Sequence, residues 1–152
     1  MSADAVNPRR ELLEAFAEGI DRIGEALADL GAAYELLDET SGEHLEAQLF
    51  RPVQAAYGRS QRAHNDFAER VGLPTRSFTA PGGGAPSRGV TGLVAAALDS
   101  IEQGDDTLVS LQDSMMLVEL GDRELRSAVA EVRRHLDEAV KHAGPFLSTL
   151  GR

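Results

Sequence analysis

Between Leu13 and Leu37 the chain places apolar side chains at Leu13, Phe16, Ile20, Ile23, Leu27, Leu30, Tyr34 and Leu37, alternating steps of three and four without a break. Only an α-helix brings residues at that spacing onto one side, so the stretch predicts one long amphipathic helix. Small residues flank the seam, with Gly19, Ala26 and Ala33 on one side and Ala17, Gly24 and Gly31 on the other, while Glu11, Glu18, Glu25 and Glu39 fall on the far face. A glycine inside a helix costs roughly 1 kcal/mol relative to alanine, so packing against neighbouring helices must outweigh propensity here.

The remaining chain supplies three such neighbours. Asn7 and Pro8 form a helix start, an Asx cap followed by proline at the first helical position, and the first helix is expected over about 8–38. Thr40, Ser41 and Gly42 interrupt it, Ser41 being the expected cap of a second helix over 42–71 with the seam Phe50, Val53, Tyr57, Ser60, His64, Phe67 and Val71. Pro52 lies inside that helix and predicts a kink or a late start. A third helix is expected over 88–117 on Val90, Val94, Ala97, Ile101, Gly104, Leu108, Leu111 and Met115, and a fourth over 122–144 on Leu125, Val129, Val132, Leu136, Ala139 and Ala143. Gly121 and Asp122 cap the two in succession, and after Gly144 and Pro145 a kinked turn carries Phe146 and Leu150.

These elements predict an all-α chain, an antiparallel four-helix bundle forming one domain over 1–152, built of two helical hairpins. The hairpins are joined by 72–87, a run rich in Gly, Pro, Ser and Thr that reads as a flexible loop. At about 3.3 Å per residue it reaches roughly 50 Å, enough either to turn locally, giving up-down-up-down topology, or to cross over lengthwise. Aromatics are 5% of the chain and Trp is absent, as in an aliphatic helical core. Residues 9–39 carry nine acids and three bases and 89–118 five acids and no base, whereas 41–71 and 122–144 balance at four against four and five against five. Acidic first and third helices alternating with arginine-bearing second and fourth ones would set opposite signs at neighbouring rims.

Composition narrows function by exclusion. The chain has no Cys, which removes disulfides, thiolate catalysis and Cys-ligated metal. A net charge of −10 opposes nucleic acid and anionic membrane surfaces. No signal-like leader and no apolar run of membrane-spanning length is seen, so a cytoplasmic location is expected. Gly82-Gly83-Gly84 lacks the lysine and the strand of a phosphate-binding loop.

Helix number and length resemble the ferritin-like bundles, which implies a di-iron site of inward Glu and Glu-x-x-His. The second helix offers only Gln61-x-x-His64, and Val132 and Ala139 stand three residues before His135 and His142. A smaller iron or zinc site remains, with His64, His142 and Asp99 as candidate ligands. It requires up-down-up-down topology, which would bring the two imidazoles to similar height. The plainer expectation for His64 is a hydrogen-bonded, half-buried residue beside Tyr57 and Ser60. A phosphotransfer histidine would be followed by lysine and glycine, and here the run is His64-Asn65-Asp66-Phe67.

Asp99, Glu102 and Asp106 share a face that reads as solvated or as attracting a cation or basic partner. Met115-Met116-Leu117-Val118 and the off-seam residues Leu12, Leu36, Leu93, Leu98, Val109 and Val140 fit either a wide core stripe or a second interface. The expected role is therefore non-enzymatic: a helical interaction or scaffold module without cofactor, binding a protein partner or forming a homo-oligomer. The alternatives are a ferritin-like metal or oxidoreductase bundle with an incomplete site, and an apolar ligand held along Gly19, Gly24, Gly31 and Gly104.

Overall fold

The computed structural model describes residues 7–150, and among them every regular element is helical. Helix α1 (Pro8–Tyr34) opens as expected, with the Asn7 side chain accepting the Arg9 N–H at 2.9 Å. It ends four residues before the expected Asp38, because Leu36 and Leu37 donate back three residues, to the Ala33 and Tyr34 carbonyls, and tighten the last turn. Asp38 rather than Ser41 caps α2 (Glu39–Leu45): its backbone is extended and its carboxylate accepts the Ser41 N–H at 2.8 Å.

Proline 52 produces neither a late start nor a break. Having no N–H, it cannot close the usual four-residue bond, and the turn before it widens into a π-helical stretch, Glu46–Phe50, that leads directly into α3 (Arg51–Arg70). A three-residue 3₁₀ turn, Pro86–Arg88, introduces α4 (Gly89–Asp113). That helix stops short of the expected 117 because Met115 adopts a left-handed conformation at φ 66°, after which α5 (Met116–Glu119) makes a single turn. Asp122 caps α6 (Arg123–Leu150) as expected, accepting the Leu125 N–H at 2.8 Å. Helix α6 runs on through Gly144 and Pro145, and Phe146 is buried beyond them.

The contacts fix how the four long helices lie. Helix α1 packs on α4 and α3, and α6 packs on α3 and α4. Gly19 meets Gly104 and Thr107, while Phe16 lies by His64 and Gly24 by Tyr57, so α4 and α3 both run opposite to α1. Arg70 pairs with Asp122 and Arg59 with Glu131, and Arg133 pairs with Asp105, so α6 runs opposite to both α3 and α4. Helices α3 and α4 are consequently parallel, and residues 71–85 travel the length of α1 between them.

Three anchors hold that traverse. The Asn65 amide both donates to the Arg76 carbonyl at 2.8 Å and accepts its N–H at 2.9 Å, Arg76 forks onto Asp21, and the Gly84 N–H donates to Asp29 at 2.8 Å. The segment read as flexible linker is thus tied along its course. The ring order also places the two acidic helices, α1 and α4, side by side instead of alternating with the others; their contact is closed by glycine, threonine and aliphatic side chains rather than by ion pairs.

The core is the aliphatic one expected, with Ile20, Ile23, Leu30, Leu108 and Leu125 essentially inaccessible around Phe16, Phe67 and Phe146. Each such side chain contributes about 1.5–3 kcal/mol on leaving water. Among the described residues no helix is long and apolar enough to cross a membrane.

Candidate functional site

His64 and Ser60 are the buried polar side chains among the described residues, and both sit on the inner face of α3. Ser60 satisfies itself by donating to the Tyr57 carbonyl at 3.0 Å, as Ser and Thr often do within helices. The His64 ring lies 6.2 Å from Phe16 and edge-on to Phe78 at 5.1 Å, with Nδ1 2.9 Å from the Asn65 Oδ1. That amide oxygen also accepts from Arg76, so Nδ1 carries the proton and donates.

The Arg76 guanidinium stacks over Phe78 at 4.6 Å while holding Asp21. Burial above all, helped by this guanidinium, pushes the imidazole below its ordinary pKa. His64 is therefore a neutral histidine built into the attachment of the crossing segment. It is buried rather than half-buried, and Phe16, Phe78 and Asn65 pack on it in addition to Ser60, one turn away on α3. A 230 Å³ cavity beside it is walled by Leu13, Ala17, Leu73 and Pro74, with Arg10, Glu14 and Arg76 at its mouth.

The proposed metal ligands are not brought together. Since Arg70 faces Asp122 and Arg59 faces Glu131, His64 stands opposite about residue 127 of α6, roughly 22 Å along the helix from His142. Asp99 lies level with Glu25 and Asp29 of α1, about 13–20 Å further along than Phe16, the neighbour of His64. The equal height expected for the two histidines depended on α3 and α6 being parallel, and they are antiparallel. Among the described residues no three His, Asp or Glu side chains are grouped to hold a metal ion. Of the glycines expected to form a ligand channel, Gly19, Gly24 and Gly104 are closely packed, a Gly19 β-carbon falling 3.3 Å from Thr107, one on Gly24 3.0 Å from the Tyr57 ring and one on Gly104 3.2 Å from the Gly19 carbonyl, whereas Gly31 lines a 260 Å³ recess with Tyr34 and Phe50.

A different feature opens between α4 and α6. These antiparallel helices touch less intimately than α1 with α4 or α3 with α6, and a 470 Å³ groove runs between them. Its floor is aliphatic, from Leu98, Ile101, Leu136 and Ala143, and Val140 stands on its edge at 49% exposure. Arg133 closes one end, donating to Asp105 at 2.9 Å and to Gln112 at 2.8 Å. The bond to Asp105 above all tightens the hold on its proton. Glu102 and Asp137 form the rim, the latter already paired with Lys141 at 3.2 Å.

The off-seam positions Leu98 and Val140 were the sequence signal for this groove. Asn65, Arg76 and Phe78 carried none strong enough to single them out; an aromatic residue within a Gly/Pro-rich run was the one available cue. No family model matches the chain, and no curated protein or solved structure proves similar to it.

Proposed function

We propose that this chain is a single-domain, antiparallel four-helix bundle with a lengthwise crossover, serving as a non-enzymatic interaction module in the cytoplasm. The observation that carries this reading is the α4–α6 groove. It has an aliphatic floor with Val140 half exposed at its edge, whereas the 560 Å³ recess on the α3–α6 seam is lined mainly by the charged side chains of Arg59, Asp66, Arg70, Arg123 and Glu124. Buried surface of that kind is what helices present to partners, and exposed apolar residues gathered in one place mark interaction sites. The expected homo-oligomer would use the opposite end of α4, where Met115 and Val118 project at 50% and 55% exposure.

The second reading, a ferritin-like metal bundle, is favoured by one feature, the lengthwise crossover those bundles share. Against it, among the described residues no three His, Asp or Glu side chains are grouped to hold a metal ion. Elemental mass spectrometry on tag-free protein, purified without chelator and again after iron and zinc loading, separates the two. The interaction module gives no stoichiometric metal under either condition. One metal or more per chain would overturn this reading in favour of the second.

A further inference from the structure

The α4–α6 groove differs from an ordinary shallow cleft in the sign of its surroundings. Between residues 89 and 118 the chain has five acids and no base, and that stretch forms one wall. On the other wall Arg133 is consumed by Asp105 and Gln112, and Lys141 by Asp137. Glu102 has no cation within ion-pair distance among the described residues and is exposed along α4, while Asp99 lines the neighbouring recess with Glu25, Asp29 and Arg88. An aliphatic floor thus lies beside the uncompensated carboxylate of Glu102, on a chain of net charge −10.

We propose that this groove receives a basic amphipathic helix from a partner protein, an inference that rests on the interaction-module reading. The aliphatic stripe of the incoming helix packs on Leu98 and Val140, above the buried Ile101 and Leu136, and its Lys or Arg flank meets Glu102. The floor from Leu98 to Asp105 spans two turns of α4, the spacing over which a helix presents anchors at i, i+3 or i+4, and i+7. Charge complementarity selects this occupant. A second copy of the chain would bring the same acidic wall against itself, like charges facing across the contact, which opposes association. The acidic α4 wall and Glu102, by contrast, steer a basic helix into register and raise its encounter rate.

The test uses the full chain and two synthetic helical peptides with the same leucine stripe, one flanked by Lys and Arg and the other by Glu, titrated by fluorescence anisotropy at low and high salt. The basic peptide is expected to bind saturably and more weakly as salt rises, with the acidic peptide weaker by about tenfold or more. Val140→Asp should weaken the basic peptide by about tenfold although it adds a negative charge, because it removes the apolar edge. Non-specific attraction would instead strengthen. Glu102→Gln, an exposed change that leaves the fold alone, should cost severalfold.

Equal binding of both peptides, no binding of either, or indifference to Val140→Asp would each overturn the proposal. Concentration-dependent dimerisation abolished by Val140→Asp in sedimentation would also overturn it, assigning the groove to a second copy. The interaction-module reading survives that last outcome, whereas stoichiometric metal in the elemental analysis removes the reading whatever the peptides do.

Discussion

The carbonyl oxygen of Gly19 lies 3.2 Å from the place a β-carbon on Gly104 would occupy, so α1 and α4 meet backbone to backbone at this point. Arg22 Cβ and Ile23 Cγ1 stand 3.4 Å from the same place, leaving a larger side chain no direction in which to turn. Gly104→Val should therefore destabilise the fold by about 2 kcal/mol or more, through overpacking and the poorer helix propensity of a β-branched residue. Gly58→Ala, in α3 where the nearest atom is the mobile end of Arg62 at 3.4 Å, should stabilise by about 0.5–1 kcal/mol. Urea unfolding of both variants checks the contrast; equal effects would show that close approach is not what the glycine serves.

Met115 supplies a backbone prediction. It holds φ at 66° with its side chain half exposed, a conformation that costs a non-glycine residue roughly 1–2 kcal/mol. Met115→Gly should raise stability by about 1 kcal/mol, seen as a higher urea midpoint at unchanged slope.

At the junction of α3 and α6, Asp122 both caps its own helix and receives the Arg70 fork at 2.6 and 3.0 Å. The Arg70 hydrogen bond first, then the Leu125 N–H, holds the carboxyl below its ordinary value. A depressed carboxyl stabilises the fold above its unfolded pKa, and that contribution fades as pH drops through the folded one. The stability gap between the native chain and Asp122→Asn should thus be full at neutral pH and close below about pH 4.

His64 titrates with the opposite chemistry but the same slope. Its buried ring resists protonation, so below about pH 6.5 the unfolded chain binds a proton that the folded chain declines, and stability falls with pH. Glu14 and Arg10 of α1, Asp21 through Arg76, and Arg76 itself are the charged groups around it. In His64→Gln the dependence below about pH 6.5 should flatten. Hydrogen exchange should also show Asn65→Ala loosening residues 73–80, since both backbone bonds of Arg76 to that amide are lost.

Gly83 tests the course of the crossing segment. A β-carbon there would stand 2.5 Å from the Ala28 carbonyl oxygen and 2.8 Å from Ala32 Cβ, because the segment lies directly on α1. Gly83→Val should lift it and speed limited proteolysis within residues 73–85 by about tenfold, with the helical circular dichroism of the four long helices retained.

The helices were legible in the sequence because each seam obeys one period, and the caps Asn7 and Asp122 carry side chains whose chemistry requires a partner N–H. Arrangement was less legible. Periodicity says which face of a helix is apolar and nothing of which neighbour covers it. The expected alternation of acidic and arginine-bearing helices failed for that reason: Gly19 and Gly104 bring the two acidic helices closest, and contact distance outweighs exposed charge, whose pairs are worth a few tenths of a kcal/mol. The direction of the crossing segment was hidden because Asn65, Arg76 and Asp21 are each unremarkable alone and acquire meaning only together. The metal candidates shared that weakness, since their common height depended on the topology.

The absence of cysteine makes the most direct measurement simple, because a single introduced thiol can carry a photo-crosslinker at a chosen position. Val140→Cys and, as a control on the exposed face of α3, Arg62→Cys would each be labelled with benzophenone and irradiated with the basic amphipathic peptide. The account predicts a crosslink from position 140, suppressed by excess unlabelled peptide, and none from position 62. Equal crosslinking at both positions, or none at 140, would contradict it.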